Sequence, residues 1–162
     1  GFTIYLKLAK IDKGAYVKEY IMNEYQKLQQ LDRSIQTFRK SRAYKRVNTK
    51  LSDSDIMVLF CVAFCDVNEK IKLSDISKTL KVTLPAVTHK VNDLYKKGYI
   101  LKEASKEDLR VTYIELTPKG KEYVNDIKDS YYKPLKELRA FLGDEDTDTL
   151  VRILNNISNM EK

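Results

Sequence analysis

The side chains best suited to moving protons or holding metals near neutral pH are few: one histidine, His89, and two cysteines, Cys61 and Cys65. A general base or a metal centre needs several such groups at ligand spacing, and His89 is expected to stand without them. Cys61 and Cys65 are four residues apart in an apolar segment. On a helix their Cβ atoms would be about 5–6 Å apart, beyond the roughly 3.5–4.5 Å of an unstrained disulfide. No cation flanks them in sequence to lower a thiol pKa, so both are expected as reduced core residues. A glycine-rich phosphate loop and a nucleophile elbow are also missing from the sequence. The chain is therefore expected to be no enzyme and to need no cofactor and no metal.

A second group of residues suits recognition rather than reaction. Thr83, Pro85, Ala86, Thr88, His89 and Lys90 fall within eight positions. Their hydroxyl, imidazole, ammonium and small apolar groups match the donors, acceptors and methyl groups that base edges present in a major groove. Farther along stand Lys106, Asp108 and Arg110, and upstream Lys72 and Ser74; of these Lys106, Lys72 and Ser74 suit phosphate contacts. Thirty Lys and Arg against 23 Asp and Glu give a net charge of +7, the sign that a polyanionic partner requires.

The elements that must position these groups can be read from periodicity and capping residues. Only 5 Gly and 3 Pro occur in 162 residues, with 43% hydrophobic and 33% charged content, so a mainly α protein is expected. Val17, Ile21, Tyr25, Leu28, Leu31, Ile35 and Phe38 recur at steps of three and four, which predicts one amphipathic helix from Ile11 to about Arg42. Such a stripe is too long for so small a body to cover, so part of it is expected to meet a partner chain. An acid-free cluster follows, Arg39, Lys40, Arg42, Lys45, Arg46 and Lys50. Ser52 then predicts the cap of a buried helix from Asp53 to about Cys65.

From Ile71 to Gly98 the sequence predicts a short helix capped by Ser74, a turn at Lys81-Val82, and a second helix capped by Thr83 and opened by Leu84-Pro85, since proline is tolerated in a first turn. Val87, Val91 and Leu94 form its inner stripe, and Gly98 fits a left-handed cap. Alternation then predicts a hairpin, Tyr99 to Ala104 and Val111 to Leu116. Thr117-Pro118 opens another helix that Pro134 is expected to kink or break, and a last helix is expected after Gly143.

The order of these parts, with Leu94-Tyr95-Lys96-Lys97-Gly98-Tyr99-Ile100, Asp108-Leu109-Arg110 and Leu116-Thr117-Pro118-Lys119-Gly120, resembles the MarR family of winged helix-turn-helix transcriptional regulators from about Leu51 to Tyr123. The resemblance implies that the helix after Thr83 reads a major groove, that Arg110 reaches the adjacent minor groove, and that Asp108 holds Arg110. It also implies a cleft for a small aromatic or phenolic effector, for which Tyr16, Tyr20, Tyr25, Tyr44 and Tyr113 are loose candidates.

The expected organisation is a helix and basic connection over 1–50, a winged helix-turn-helix over 51–118, and dimerisation helices over 119–162. The expected partners are double-stranded DNA, a second copy of the chain and a small aromatic effector. The sequence has no apolar run of membrane-spanning length and no clear signal-peptide cleavage region at its start, so no membrane partner is expected and the chain is placed in the cytoplasm. The expected activity is specific regulation of transcription as a homodimer on a pseudo-palindrome. The alternative is a winged-helix module that binds protein partners, or nucleic acid without sequence preference.

Overall fold

The computed structural model describes residues 5–10, 16–64 and 70–160, with side chains from residue 22 onward. The elements in order are β1 (Tyr5–Lys10), β2 (Tyr16–Ile21), α1 (Glu24–Lys40), α2 (Asp53–Phe64), β3 (Lys70–Lys72), α3 (Leu73–Leu80), α4 (Leu84–Lys96), β4 (Ile100–Ala104), β5 (Thr112–Leu116) and α5 (Pro118–Met160). The fold is mainly α with small antiparallel sheets. It divides into two compact units, one of residues 1–45 and 134–162, the other of Arg46–Lys133.

The second unit is a winged helix-turn-helix. Its core gathers Ile56, Leu59 and Phe60 of α2, Ile76 of α3, Val87, Val91 and Leu94 of α4, and Ile100 and Ile114 of the hairpin. α2 is apolar almost all round because it is the central element. Ser52 caps it as the sequence predicts, its hydroxyl accepting the Asp55 amide at 3.2 Å. Tyr123 of α5 accepts the Leu51 amide at 3.3 Å, and the Tyr131 hydroxyl donates to Asp53 at 3.2 Å, so the first half of α5 is tied across the start of α2. The sheet order is β3-β5-β4. β3, three residues long, was not anticipated; it pairs Ile71 with Ile114, and both are buried.

Three local expectations are corrected. The expected helix from Ile11 is, within residues 16–21, a strand: β2 pairs antiparallel with β1, Tyr5 opposite Ile21 and Lys10 opposite Tyr16. Tyr16, Val17, Tyr20 and Ile21 are β-branched or aromatic and favour strands, and Asn23 starts α1 with a reciprocal capping box to Gln26. Ile11 to Ala15 lie outside the described residues, as does Cys65, so the Cys61–Cys65 spacing does too; Cys61 is buried. Ser74 is not the cap of α3, which begins one residue earlier after an extended Lys72 without a side-chain cap bond. Pro134 lies inside α5 without interrupting it, whereas helical geometry is lost at Gly143, φ 79°, after which the sequence predicts the last helix; glycine adopts this conformation without a Cβ penalty.

In the first unit α1 buries none of its residues. Tyr25, Leu28, Leu31, Ile35 and Phe38 are all exposed, and so are Val151, Ile153, Leu154 and Ile157 of α5.

Candidate nucleic-acid interface

α3 and α4 are joined by a turn in which Lys81 takes a left-handed conformation, φ 54° and ψ 42°, closed by the Ser77 hydroxyl donating to the Val82 carbonyl at 2.6 Å. Thr83 caps α4, its hydroxyl accepting the Ala86 amide at 3.4 Å, with Pro85 in the first turn. Burial of Val87, Val91 and Leu94 fixes the rotation of α4 about its axis. Thr83, Pro85, Ala86 and His89 are thereby exposed on its outer side, with Thr88 half-buried.

Not every candidate on α4 is equally free. The Thr88 hydroxyl donates to the Leu84 carbonyl at 2.8 Å, and a hydroxyl so engaged keeps its lone pairs to accept from a base or water. His89 Nδ1 lies 3.5 Å from Asp93 Oδ2, and the imidazole is 76% exposed. Asp93 is thus a carboxylate one helical turn from His89 that the sequence reading overlooked. The pair does not make a metal centre, since among the described residues no group of three metal-binding side chains occurs. The Lys90 ammonium turns to Asp55 of α2, at 3.3 Å.

At the far end of α4, Gly98 (φ 80°) closes a Schellman-type cap in which the Tyr99 amide donates to the Leu94 carbonyl at 3.0 Å. Thr117 then joins the wing to α4: its hydroxyl donates to the Gly98 carbonyl at 2.7 Å and accepts the Gly120 amide at 3.0 Å. Lys119 donates to the Lys97 carbonyl at 2.6 Å and stands 4.4 Å above the Tyr99 ring. Lys102 of β4 reaches back to Asn92 of α4 at 2.7 Å and covers the Tyr95 ring. Sequence reasoning missed these ties because they depend on distant pairings.

The wing tip is a tight turn. Ser105 accepts the amides of Glu107 and Asp108 at 3.2 Å each. Asp108 accepts from Arg110 three times at 3.0 Å: backbone amide and Nε to Oδ1, Nη2 to Oδ2. These side-chain and backbone bonds hold the Asp108 carboxyl below its ordinary range and raise the Arg110 guanidinium. The Arg110 side chain remains 90% exposed. A bidentate carboxylate thus orients the guanidinium without covering it. Leu109 beside it is exposed too.

Lys72 and Lys106 line one cleft of about 560 Å³ between β3 and the wing, with Lys70, Asp75, Glu103 and Tyr113. Lys70 is committed to Glu103 and Glu115. Its hydrogen bond to Glu103 raises the Lys70 ammonium and lowers the Glu103 carboxyl. Lys72 and Lys106 are exposed at the cleft, and Ser74 is exposed in the first turn of α3.

The sequence model of the transcriptional regulators SarA/Rot matches residues 42–127. YdgJ of Bacillus subtilis, an HTH-type transcriptional regulator, is 31% identical over 117 residues, 70% of either chain. BilQ of Clostridioides difficile, also an HTH-type transcriptional regulator, is 26% identical over 102 residues, 63% of this chain and 69% of BilQ. Among solved structures, a cysteine-to-serine mutant of Escherichia coli MarR complexed with operator DNA superposes with a TM-score of 0.59 at 20% identity, over 83% of this chain and 96% of MarR. Streptomyces coelicolor PcaV in complex with its natural ligand gives a TM-score of 0.63 at 12% identity, over 89% of this chain and all of PcaV, 100%. At these identities the two structures speak for the fold, while the sequence matches, over the segment that builds the helix-turn-helix and its wing, speak for the family. The chain belongs to the SarA/Rot family of transcriptional regulators, not to a family of enzymes, and it has the fold of MarR.

Proposed function

We propose that this regulator acts in the cytoplasm as a homodimer on a pseudo-palindromic operator, each protomer placing α4 in a major groove and its wing in the adjacent minor groove. The observation that carries the reading is the division of α4 into a buried inner stripe, Val87, Val91 and Leu94, and an exposed N-terminal outer side that offers Thr83, Pro85, Ala86, Thr88 and His89 to base edges. Arg110, oriented by Asp108, suits a narrow groove in which negative potential is concentrated. Lys72, Ser74 and Lys106 serve the phosphates.

The exposed apolar side chains of α1 and of α5 beyond Gly143 support pairing with a second copy, because contiguous apolar surface of this kind marks an interface. Two such chains would present two reading helices to half-sites about one helical turn apart. A small aromatic effector would act by binding the DNA-competent and incompetent dimers unequally. A cleft of about 260 Å³, lined by Val62, Phe64, Leu116, Lys121, Val124 and Asn125 among others, has room for a single ring. PcaV, solved with its natural ligand, is a precedent for an effector on this fold. Of the tyrosines singled out in the sequence, Tyr25, Tyr44 and Tyr113 do not line that cleft, and the side chains of Tyr16 and Tyr20 lie outside the described residues.

The test is a titration of a fluorescent duplex at several salt concentrations, with the stoichiometry measured by sedimentation. The expected result is two chains per duplex and an affinity that falls steeply with salt as counterions are released. One chain per duplex, or a flat salt dependence, contradicts the proposal.

A further inference from the structure

The one reading-helix cation that does not face outward is Lys90. Its ammonium lies 3.3 Å from Asp55 Oδ1, with the Lys90 side chain 34% exposed and that of Asp55 8%. Asp55 stands in the first turn of α2 with its amide bonded to Ser52, and its Oδ1 is buried without a hydrogen-bond partner. A buried carboxylate needs a compensating charge, and removing one member of such a pair leaves the other desolvated and unpaired. Lys90 therefore cannot turn to a DNA phosphate without stranding Asp55, whereas an exposed lysine gives up little more than water to do the same.

The pair also has a mechanical consequence. α4 is rotated into place by the apolar contacts of Val87, Val91 and Leu94. The Lys90–Asp55 contact adds a charged link to α2, the central helix of the core, one residue beyond His89 on the outer side of α4.

We propose that Asp55 is a positioning residue of the DNA interface: it holds Lys90 against α2, which reinforces the rotation that the apolar stripe gives the reading helix and withholds one positive charge from the DNA backbone. This inference rests on the reading of α4 as the major-groove helix.

The experiment measures, for the full chain, the salt dependence of binding to a random-sequence duplex and the ratio of affinities for a selected and a random duplex. Asp55→Asn is close to isosteric; it frees Lys90, and the slope of log affinity against log salt should steepen by about 0.9, one phosphate contact, while the selected-to-random ratio falls about tenfold. Lys90→Met keeps the stem and should leave the slope unchanged while lowering the ratio similarly. Lys90→Arg should restore the ratio. A slope that becomes shallower by about 0.9 in Lys90→Met would show that the wild-type lysine already serves a phosphate, and would overturn the proposal. So would an Asp55→Asn protein with wild-type slope and ratio. Equal wild-type affinity for selected and random duplexes would instead defeat the specific-reader function, and with it the rotational half of the inference; the slopes on random duplex decide the charge half on their own.

Discussion

Gly120 lies with its bare Cα against the carbonyl oxygen of Tyr99, the same oxygen that accepts the Thr117 amide at 3.0 Å. A methyl group at position 120 would overlap that oxygen and would stand 3.1 Å from the Tyr99 carbonyl carbon. Both neighbours are backbone, which a rotamer change cannot relieve. The entry of α5 and the start of the wing therefore approach as closely as they do only because residue 120 is glycine. Gly120→Ala should destabilise the protein by about 1–3 kcal/mol, despite alanine's better helix propensity. Urea unfolding checks this; an unchanged midpoint would mean that the approach is looser than the structure shows.

Arg110→Ala should weaken duplex binding by roughly ten- to a hundredfold and leave the unfolding midpoint unchanged, since the side chain is almost wholly exposed. Fluorescence anisotropy at fixed salt measures the first and circular dichroism the second. Wild-type affinity would remove Arg110 from the interface.

Asp108 and Glu103 both have carboxyl groups held below their ordinary range, by Arg110 and Lys70 respectively. A depressed folded-state pKa contributes stability that is complete above the unfolded-state value and is lost as pH falls through the folded-state value. Acid should therefore loosen the wing only below the usual carboxylate range, and wing order should be constant from neutrality down to pH about 5. Carbon-detected NMR titration should find Asp108 and Glu103 titrating below the exposed carboxylates. Ordinary values would show the two pairs to be absent in solution.

Leu31 and Ile35 lie exposed on α1 among Leu28, Tyr25 and Phe38. If this surface joins two copies, Leu31→Glu should convert the protein to a monomer in sedimentation velocity and weaken specific binding by more than any single contact residue, because both half-sites are then read separately. A dimer that persists in Leu31→Glu would place the interface elsewhere.

What could be read from the sequence was what local chemistry dictates. Thr83 with Pro85 announces the start of α4, Gly98 its end, and Thr117-Pro118 the start of α5, each because a cap or a missing amide acts within one turn. The Asp108–Arg110 pair was implied by the family resemblance, and the structure forms it between residues two apart. Features that depend on distant partners were not legible. β3 is three residues long and is a strand only because Tyr113 to Glu115 pair with it. Lys90 looks like any exposed lysine until α2 brings Asp55 beside it. The segment Tyr16–Ile21 satisfies helical spacing and strand propensity together, and the capping box at Asn23 that separates it from α1 is weaker in sequence than the continuous stripe around it. Pro134 and Gly143 present the opposite case: proline is the stronger breaker by reputation, yet the helix continues through it and departs at the glycine.

In the proposed function, α4 and the wing of two protomers together read a specific, symmetric DNA site. Selection of bound sequences from a random duplex pool by the purified protein, at near-physiological salt, tests it most directly. The expected result is enrichment of a pseudo-palindrome with half-sites about one helical turn apart, lost when Arg110 is replaced by alanine. Retention of the pool without enrichment, by a protein that is folded and binds duplex, would contradict it and leave a winged-helix module that holds DNA without reading it.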